Sequence, residues 1–104
     1  QGTAVFANVV LNAGVEIGEG SILNTSCSID HNSKLGNFSH ISPHASIAGG
    51  VAFGHRSWLG IGACIIQCVK VGSDVMIGAG SAVTKNLPSK TTAVGVPCKI
   101  IRRG

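Results

Sequence analysis

The sequence predicts an all-β fold, a parallel β-helix in which very short strands alternate with tight turns. Two observations on the 104 residues support this prediction. Large apolar residues recur at every sixth position, a period that no α-helix has. Glycine is frequent, at 15 residues, while 44% of the chain is hydrophobic, so the composition favours many turns around a packed core rather than disorder.

The six-residue period is unbroken over most of the chain. Fourteen successive positions, here called i, carry a large apolar side chain: Val5, Leu11, Ile17, Leu23, Ile29, Leu35, Ile41, Ile47, Phe53, Leu59, Ile65, Val71, Ile77 and Val83. Position i+4 is small or β-branched throughout. Because side chains alternate across a strand, we expect i+4 and the next i to point inward together.

The residues between these inward positions are typical of turns. Gly, Asn or Asp occupies i+1 in nine of the fourteen repeats, and Gly or Asn is frequent at i+3. We expect both positions to tolerate a positive φ. A strand this short cannot bury its inner face alone, so successive coils should stack on one another.

Three repeats per coil would place residues 18 apart above one another, about 4.8 Å from coil to coil. Residues 1–83 would then form a β-helix of about four coils. Residues 84–104 are expected to be a loop and tail that pack on it, because Pro88, Gly95 and Pro97 break strand pairing.

Composition restricts the function classes. The net charge of +4 suits an anionic small ligand without requiring one. No run of Lys and Arg interleaved with aromatics predicts nucleic-acid binding, and no apolar stretch is long enough to span a membrane. No signal peptide is visible, so we expect a cytoplasmic protein with reduced thiols. Gln1 in place of an initiating Met suggests an excised domain.

One outer face of the predicted helix is apolar around a histidine. His40 should point outward, with Ile22 on one side in the stack and Trp58 and then Met76 on the other. Scattered apolar residues are common on surfaces, but a continuous stripe is more often covered. We therefore expect the chain to associate, with a cyclic homotrimer burying this face.

The repeats follow an [LIV]-G-x-x-[STAV]-x pattern that resembles the hexapeptide-repeat acyltransferases, and this resemblance implies a triangular, left-handed prism. Two blocks are more specific: N-T-x-x-x-[VI]-[DE]-H at Asn24–His31 and F-x-H-[IV]-S at Phe38–Ser42. A G-x-P-A-K-x-I tail matches Gly95–Ile101, with Cys98 in place of Ala. Nearly the whole chain resembles bacterial sugar acetyltransferases of the sialic acid O-acetyltransferase and UDP-amino-sugar N-acetyltransferase group.

This resemblance implies an enzyme that moves acetyl directly from acetyl-CoA to an amino or hydroxyl group of a nucleotide-linked sugar. It assigns His31 as the general base, His40 to the thioester region of acetyl-CoA and Asn24 to the sugar. Gly49, Ile61 and Ala79 match positions that lie beside CoA in a groove between subunits. Family members usually carry an N-terminal nucleotide-binding α/β domain, which this sequence does not contain.

The chemistry suits these residue types. An imidazole ionises near neutral pH, so it can take a proton from the attacking amine or hydroxyl. Gly49 and Gly50 let a ligand approach backbone N–H donors, which can stabilise a tetrahedral oxyanion. Four basic residues either contact the CoA phosphates or are simply solvated: Lys85, Lys99, Arg102 and Arg103.

One position departs from the family pattern. Asp or Glu often follows the base histidine directly, whereas Asn32 stands here and brings no charge to stabilise an imidazolium. We take Asn32 as the catalytic partner of His31. Asp30 precedes His31 and is one candidate to replace the missing carboxylate, although we expect its adjacent position to give poor geometry for a contact with the ring. The alternatives are a carboxylate from another subunit or weaker catalysis. From its spacing alone, His31 could equally be a turn residue.

Two other functions use the same prism. A γ-carbonic-anhydrase-like metal enzyme needs paired histidines five residues apart, whereas His40 and His44 are four apart, so no metal site is predicted. A non-catalytic trimeric scaffold is the second, and Asn32 favours it. We expect His44 and His55 to be surface polar residues, and Cys27 to point inward and be inert.

Overall fold

The computed structural model describes residues 2–104, and in this range the chain contains strands and turns only. The sixteen strands are β1 Ala4–Val5, β2 Val10–Leu11, β3 Glu16–Ile17, β4 Ile22–Leu23, β5 Ser28–Ile29, β6 Lys34–Leu35, β7 His40–Ile41, β8 Ser46–Ile47, β9 Ala52–Phe53, β10 Trp58–Leu59, β11 Cys64–Ile65, β12 Lys70–Val71, β13 Met76–Ile77, β14 Ala82–Val83, β15 Thr91–Val94 and β16 Lys99–Arg103. Residue 1, included in the predicted helix, lies outside the described residues. No helix long and apolar enough to cross a membrane occurs among residues 2–104.

The strands form three sheets, one on each face of a prism. Sheet A runs β1-β4-β7-β10-β13-β15-β16, sheet B runs β14-β11-β8-β5-β2, and sheet C runs β12-β9-β6-β3. Within the regular repeats, each strand pairs in parallel with the strand 18 residues away, as Ala4 with Ile22 and Trp58 with Met76. The predicted left-handed parallel β-helix is confirmed, at between four and five coils and 31 × 21 × 21 Å overall.

The turns stack into the three edges of the prism. Edge AB joins sheet A to sheet B and contains residues 6–8, 24–26, 42–44, 60–62 and 78–80. Edge BC contains residues 12–14, 30–32, 48–50 and 66–68, and edge CA contains residues 18–20, 36–38, 54–56 and 72–74. Each edge lies opposite the face that its name omits, so edge BC lies opposite sheet A.

The inward positions form the core, as the period predicts. Every i residue from Leu23 to Val83 is buried, with Phe53 the largest side chain. Val5 and Leu11 also face inward but are 52% and 42% exposed, because their coil has a neighbouring coil on one side only. Packing between coils therefore buries the inner face.

Buried serines at i+4 link one coil to the next. The Ser33 hydroxyl donates to the carbonyl of Ala48 at 2.6 Å and accepts from the N–H of Val51 at 3.0 Å. Ser57 makes the same two bonds, donating to the carbonyl of Gly72 and accepting from the N–H of Val75. A buried hydroxyl is costly unless it is hydrogen-bonded, and no buried side-chain N or O in residues 2–104 lacks a partner.

The turn residues differ from the prediction. Positive φ occurs at i+3, with Asn32 at 62° and Gly50 at 68°, but not at i+1. Glycine is needed at i+1 of edge CA for a different reason, which is the close approach of the next coil. A Cβ on Gly36 would lie 2.7 Å from the backbone nitrogen of His55. These glycines therefore allow stacking rather than an unusual backbone conformation.

The chain continues past Val83 with one shortened turn. Leu87, four residues after Val83, bridges to Val71 of sheet C and is buried, and Ala93 follows it six residues later in sheet A. Residues 91–94 and 99–103, expected to lack strand pairing, form β15 and β16, and β16 runs antiparallel to β15. Gly95 and Pro97 lie in the turn between them, so the prolines and glycine bound the strands without preventing them.

Candidate active site

Two surface clefts collect the residues that the sequence singled out. The His31 cleft lies on edge BC and is lined by Asp30, His31, Asn32, Ala48, Gly49, Gly50, Gln67 and Cys68. The His40 cleft lies where sheet A meets edge AB, and its lining includes Asn24, His40, Trp58, Ile61, Met76 and Ala79. The candidate base therefore lies apart from most of the residues assigned to acetyl-CoA.

His31 is held by the residue before it in the chain. Its Nδ1 lies 2.8 Å from Oδ1 of Asp30, and its backbone N–H donates to the same oxygen at 2.8 Å. The expectation that Asp30 is poorly placed was wrong. The turn at i+1 and i+2 folds the short carboxylate back beside the imidazole.

The pKa of the Asp30 carboxyl is lowered from its ordinary value. The largest cause is the hydrogen bond from the Asn12 side chain, followed by the hydrogen bonds from the backbone and ring of His31. A carboxylate accepts hydrogen bonds only, so ionised Asp30 requires the proton of a neutral His31 ring to be on Nδ1. The lone pair is then on Nε2, the nitrogen that faces away from Asp30.

Asn32 is not the residue that orients the ring. It occupies the positive-φ position of the turn, a conformation that asparagine tolerates better than most residues. Its side-chain amide lies over Gly14 of the preceding coil, where a Cβ would overlap the amide oxygen. The charge that Asn32 lacks is supplied by Asp30.

Gly49 lies next to His31, one coil further along edge BC. A Cβ on Gly49 would lie 3.3 Å from Nε2 and 3.4 Å from Cε1 of the His31 ring. The φ of Gly49 is not positive, so the backbone alone does not demand glycine. The absent side chain instead leaves space for the imidazole and for a reactant at Nε2.

His40 points outward from sheet A and stacks on Trp58 of the next coil. The ring centroids are 3.9 Å apart and the planes differ by 6°. The Trp58 indole N–H donates to the hydroxyl of Ser42 at 3.1 Å, which fixes the ring that covers His40. Burial lowers the pKa of His40, so its neutral form is favoured.

The three edges differ in whether the backbone N–H at the middle of each turn has a hydrogen-bond acceptor. On edge CA these N–H groups donate to side chains of the next coil: Glu19 to Asn37, Asn37 to His55, His55 to Ser73, and Ser73 to Ser89. Within residues 2–104, the N–H groups of Ile61, Ala79, Gly49 and Gln67 have no such acceptor. Edge CA is closed by hydrogen bonds, whereas the two edges with clefts keep donors available.

His31 and His40 do not meet within one chain. His31 is on edge BC, and His40 is on sheet A, the face opposite that edge. His40 follows His31 by nine positions, which is half of an 18-residue coil. A single site that uses both histidines therefore needs two copies of the chain.

Other candidate residues have local roles. The Asn24 side-chain oxygen accepts from the N–H of Thr25 at 2.7 Å. Cys27 is buried, as expected, and burial raises its thiol pKa to about 11. In the described part of the chain, no three His, Cys, Asp or Glu side chains lie close enough to hold a metal ion. His44 is on edge AB, and His55 belongs to the hydrogen-bond ladder of edge CA.

The chain is similar in sequence to curated acetyltransferases. No family model matches the chain. It is 45% identical to a serine acetyltransferase of Buchnera aphidicola over 85% of its own length, and 39% identical to putative acetyltransferases of Staphylococcus aureus over 64%. The chain spans about a third of the length of these curated relatives.

Solved structures are similar over nearly the whole chain. The acetyltransferase domain of PglB from Neisseria gonorrhoeae, also solved with acetyl coenzyme A, has a TM-score of 0.96 and 40% identity, covering 97% of this chain and 49% of that one. A perosamine N-acetyltransferase of Caulobacter crescentus, in complex with CoA and GDP-perosamine, has a TM-score of 0.82 and 37% identity. The match covers 97% of this chain and 54% of that one. The narrower sugar-acetyltransferase group stays a prediction. The resemblance to the hexapeptide-repeat acyltransferases is confirmed, and this chain carries their left-handed β-helix.

Proposed function

We propose that the chain transfers an acetyl group from acetyl-CoA to an amino or hydroxyl group of a nucleotide-linked sugar, with His31 as the general base. The observation that carries this proposal is the Asp30–His31 pair, in which a carboxylate oxygen lies 2.8 Å from Nδ1. This arrangement orients the ring and leaves the Nε2 lone pair free toward a cleft. The acetyltransferases among the similar proteins support the reaction class.

The proposed reaction is a direct transfer. The acceptor oxygen or nitrogen attacks the thioester carbonyl carbon while His31 Nε2 takes its proton. The tetrahedral intermediate then collapses, the carbon–sulfur bond breaks, and the imidazolium returns the proton to the CoA thiolate. Ionised Asp30 stabilises the imidazolium between these steps. The free N–H of Gly49, beside His31, is a candidate donor to the oxyanion.

Acetyl-CoA would bind along the His40 cleft. The N–H groups of Ile61 and Ala79 are one coil apart and lack acceptors within residues 2–104, so they can bond the amides of the pantetheine arm. Trp58 and Met76, 44% and 51% exposed, offer apolar contact. CoA in complexes of two similar proteins supports acetyl-CoA as the co-substrate.

The basic residues differ in their access to such a ligand. Lys99, Arg102 and Arg103 lie on exposed strand β16, which extends sheet A, the sheet that contains His40. Lys85 lies in the shortened turn between β14 of sheet B and Leu87, which bridges to sheet C, and so is not on sheet A. We therefore assign the CoA phosphates to the basic residues of β16. Asn24, in the His40 cleft, would contact the sugar.

The proposed assembly is a homotrimer in which His31 of one copy faces His40 of the next. The two residues lie on opposite sides of one prism, so a cyclic arrangement would bring the edge of one copy to the face of its neighbour. The exposed apolar side chains of Trp58 and Met76 beside His40 support a covered face. A nucleotide-binding domain on the N-terminal side would complete the grip on the acceptor.

The scaffold alternative depended on Asn32, and Asp30 removes that argument because it supplies the missing carboxylate. Isothermal titration with acetyl-CoA separates the two functions, since a scaffold should show no binding. His31→Ala should abolish acetyl transfer to a panel of amino-sugar nucleotides while acetyl-CoA still binds. Unchanged rates in His31→Ala would exclude His31 as the base.

A further inference from the structure

Asn12 lies one coil before the Asp30–His31 pair on edge BC. The pairing of Leu11 with Ile29 sets Asn12 directly beside Asp30 in the stack. The Asn12 side-chain N–H donates to Oδ1 of Asp30 at 2.7 Å. The resemblance to the acetyltransferases assigns no role to Asn12.

Three donors converge on the same oxygen of Asp30. They are the Asn12 amide, the His31 backbone N–H and the His31 ring nitrogen, at 2.7, 2.8 and 2.8 Å. The contact with Asn12 is the one that comes from another coil. Because the Asp30 and His31 side chains are 44% and 64% exposed, packing does little to hold the pair in place. Asn12 therefore ties the exposed pair to the neighbouring coil.

We propose that Asn12 is a positioning residue that fixes the Asp30 carboxylate and, through it, the Nδ1-protonated tautomer of His31. This inference rests on the proposed role of His31 as the base. The amide keeps its donor at any working pH, so it can hold the Asp30 oxygen in place whether His31 is neutral or protonated. The lowered pKa of the Asp30 carboxyl, with Asn12 as its largest cause, agrees with this arrangement.

A purely structural bridge between coils would behave differently. Asn37 is such a bridge, since its side-chain oxygen accepts from the N–H of Glu19 on edge CA at 3.1 Å. An isosteric Asp at a structural position keeps the shape and the acceptor. At position 12, however, Asp would remove the donor and place a second carboxylate against Asp30.

The test compares Asn12→Ala and Asn12→Asp with Asn37→Asp as the matched control. Partners that orient a metal-bound histidine are worth about 10-fold to 100-fold in affinity or activity, and we take the same range for the partner of a catalytic histidine. We expect Asn12→Ala to lower kcat about 10-fold and Asn12→Asp to lower it further, with the KM for acetyl-CoA unchanged. Asn37→Asp should leave kcat unchanged.

A second readout does not depend on turnover. Nitrogen-15 NMR of the His31 ring should show the Nδ1-protonated form in the wild type and a mixture of tautomers in both Asn12 variants. An unchanged ring spectrum in Asn12→Asp, or a kcat closer to wild type in Asn12→Asp than in Asn12→Ala, would overturn the inference. Full activity in His31→Ala would overturn the proposed function, while the ring spectrum still decides the role of Asn12.

Discussion

Oδ1 of Asp30 lies 2.8 Å from Nδ1 of His31, its immediate neighbour in the chain. In a Ser-His-Asp triad the base histidine takes its orienting carboxylate from a separate part of the chain. Here the turn itself supplies it, since residues 30 and 31 occupy the first two positions of one corner. The base and its partner therefore come from a single six-residue repeat.

Asp30→Asn should reduce acetyl transfer much more than Asn32→Ala does. The amide introduced at position 30 can donate to Nδ1 and so stabilise the wrong tautomer, for which we expect a loss of about 100-fold in kcat. Asn32 makes no hydrogen bond to the ring, so its truncation should change kcat by less than about threefold. Steady-state kinetics on both variants, with thermal midpoints as a control for folding, provides the test. Equal losses would mean that Asn32 also acts on His31.

Gly49→Ala should disturb His31 rather than the fold. The backbone at 49 accepts alanine, but its Cβ would lie 3.3 Å from both Nε2 and the backbone oxygen of His31, and the ring is the group that can shift by a few tenths of an ångström. We expect kcat to fall about 10-fold, since small misplacements of catalytic groups are costly. The affinity for acetyl-CoA, measured by titration, distinguishes an effect on His31 from a direct contact of Gly49 with the cofactor. A weaker affinity with an unchanged kcat would instead show that Gly49 mainly contacts the cofactor.

Trp58→Ala should raise the pKa of His40 toward its ordinary value of 6.5, because water regains access to the ring. Trp58→Phe keeps a stacked ring and should change this pKa less. An NMR titration of the His40 Cε1 proton measures both variants. A fall in the pKa of His40 in Trp58→Ala would show that attraction between the imidazolium and the indole face outweighs burial.

Asp74 should stabilise the fold only at pH values where it is ionised. Two hydrogen bonds from Arg56, at 2.8 and 2.9 Å, hold the pKa of the Asp74 carboxyl below its ordinary value of 3.8. The contribution is then complete above 3.8 and is lost as the pH falls through the lower, folded-state value. The wild type should exceed Asp74→Asn in thermal midpoint near pH 7, with the gap closing on acidification. A gap that widens in acid would contradict this sign.

The period of six residues accounts for most of the fold. It predicts fourteen strands and their inner faces, and the structure has a strand ending at each i residue from Val5 to Val83. It cannot predict the shortened turn after Val83. There the Asn86 side chain accepts from the N–H of Lys70 at 2.8 Å, replacing the contact of a full-length corner. The spacing of Leu87 and Ala93 was the remaining signal that the coil continues.

The six-residue period predicts less of the candidate site than of the fold. The separation of nine positions between His31 and His40 is half a coil, which is enough to predict that the two lie on opposite sides of the prism. Adding 18 to residue 12 likewise predicts that Asn12 lies beside Asp30. The contact between Asp30 and the His31 ring depends instead on the turn conformation and the side-chain rotamers, which no periodicity encodes.

The proposed site takes His31 from one copy and His40 from another, and mixing two inactive variants tests this sharing. His31→Ala and His40→Ala should each be inactive alone. When unfolded and refolded together in equal amounts, random trimers should regain about one quarter of wild-type activity, since a quarter of the interfaces pair an intact His31 with an intact His40. No recovery, with mixed trimers present by native mass spectrometry, would contradict the shared site.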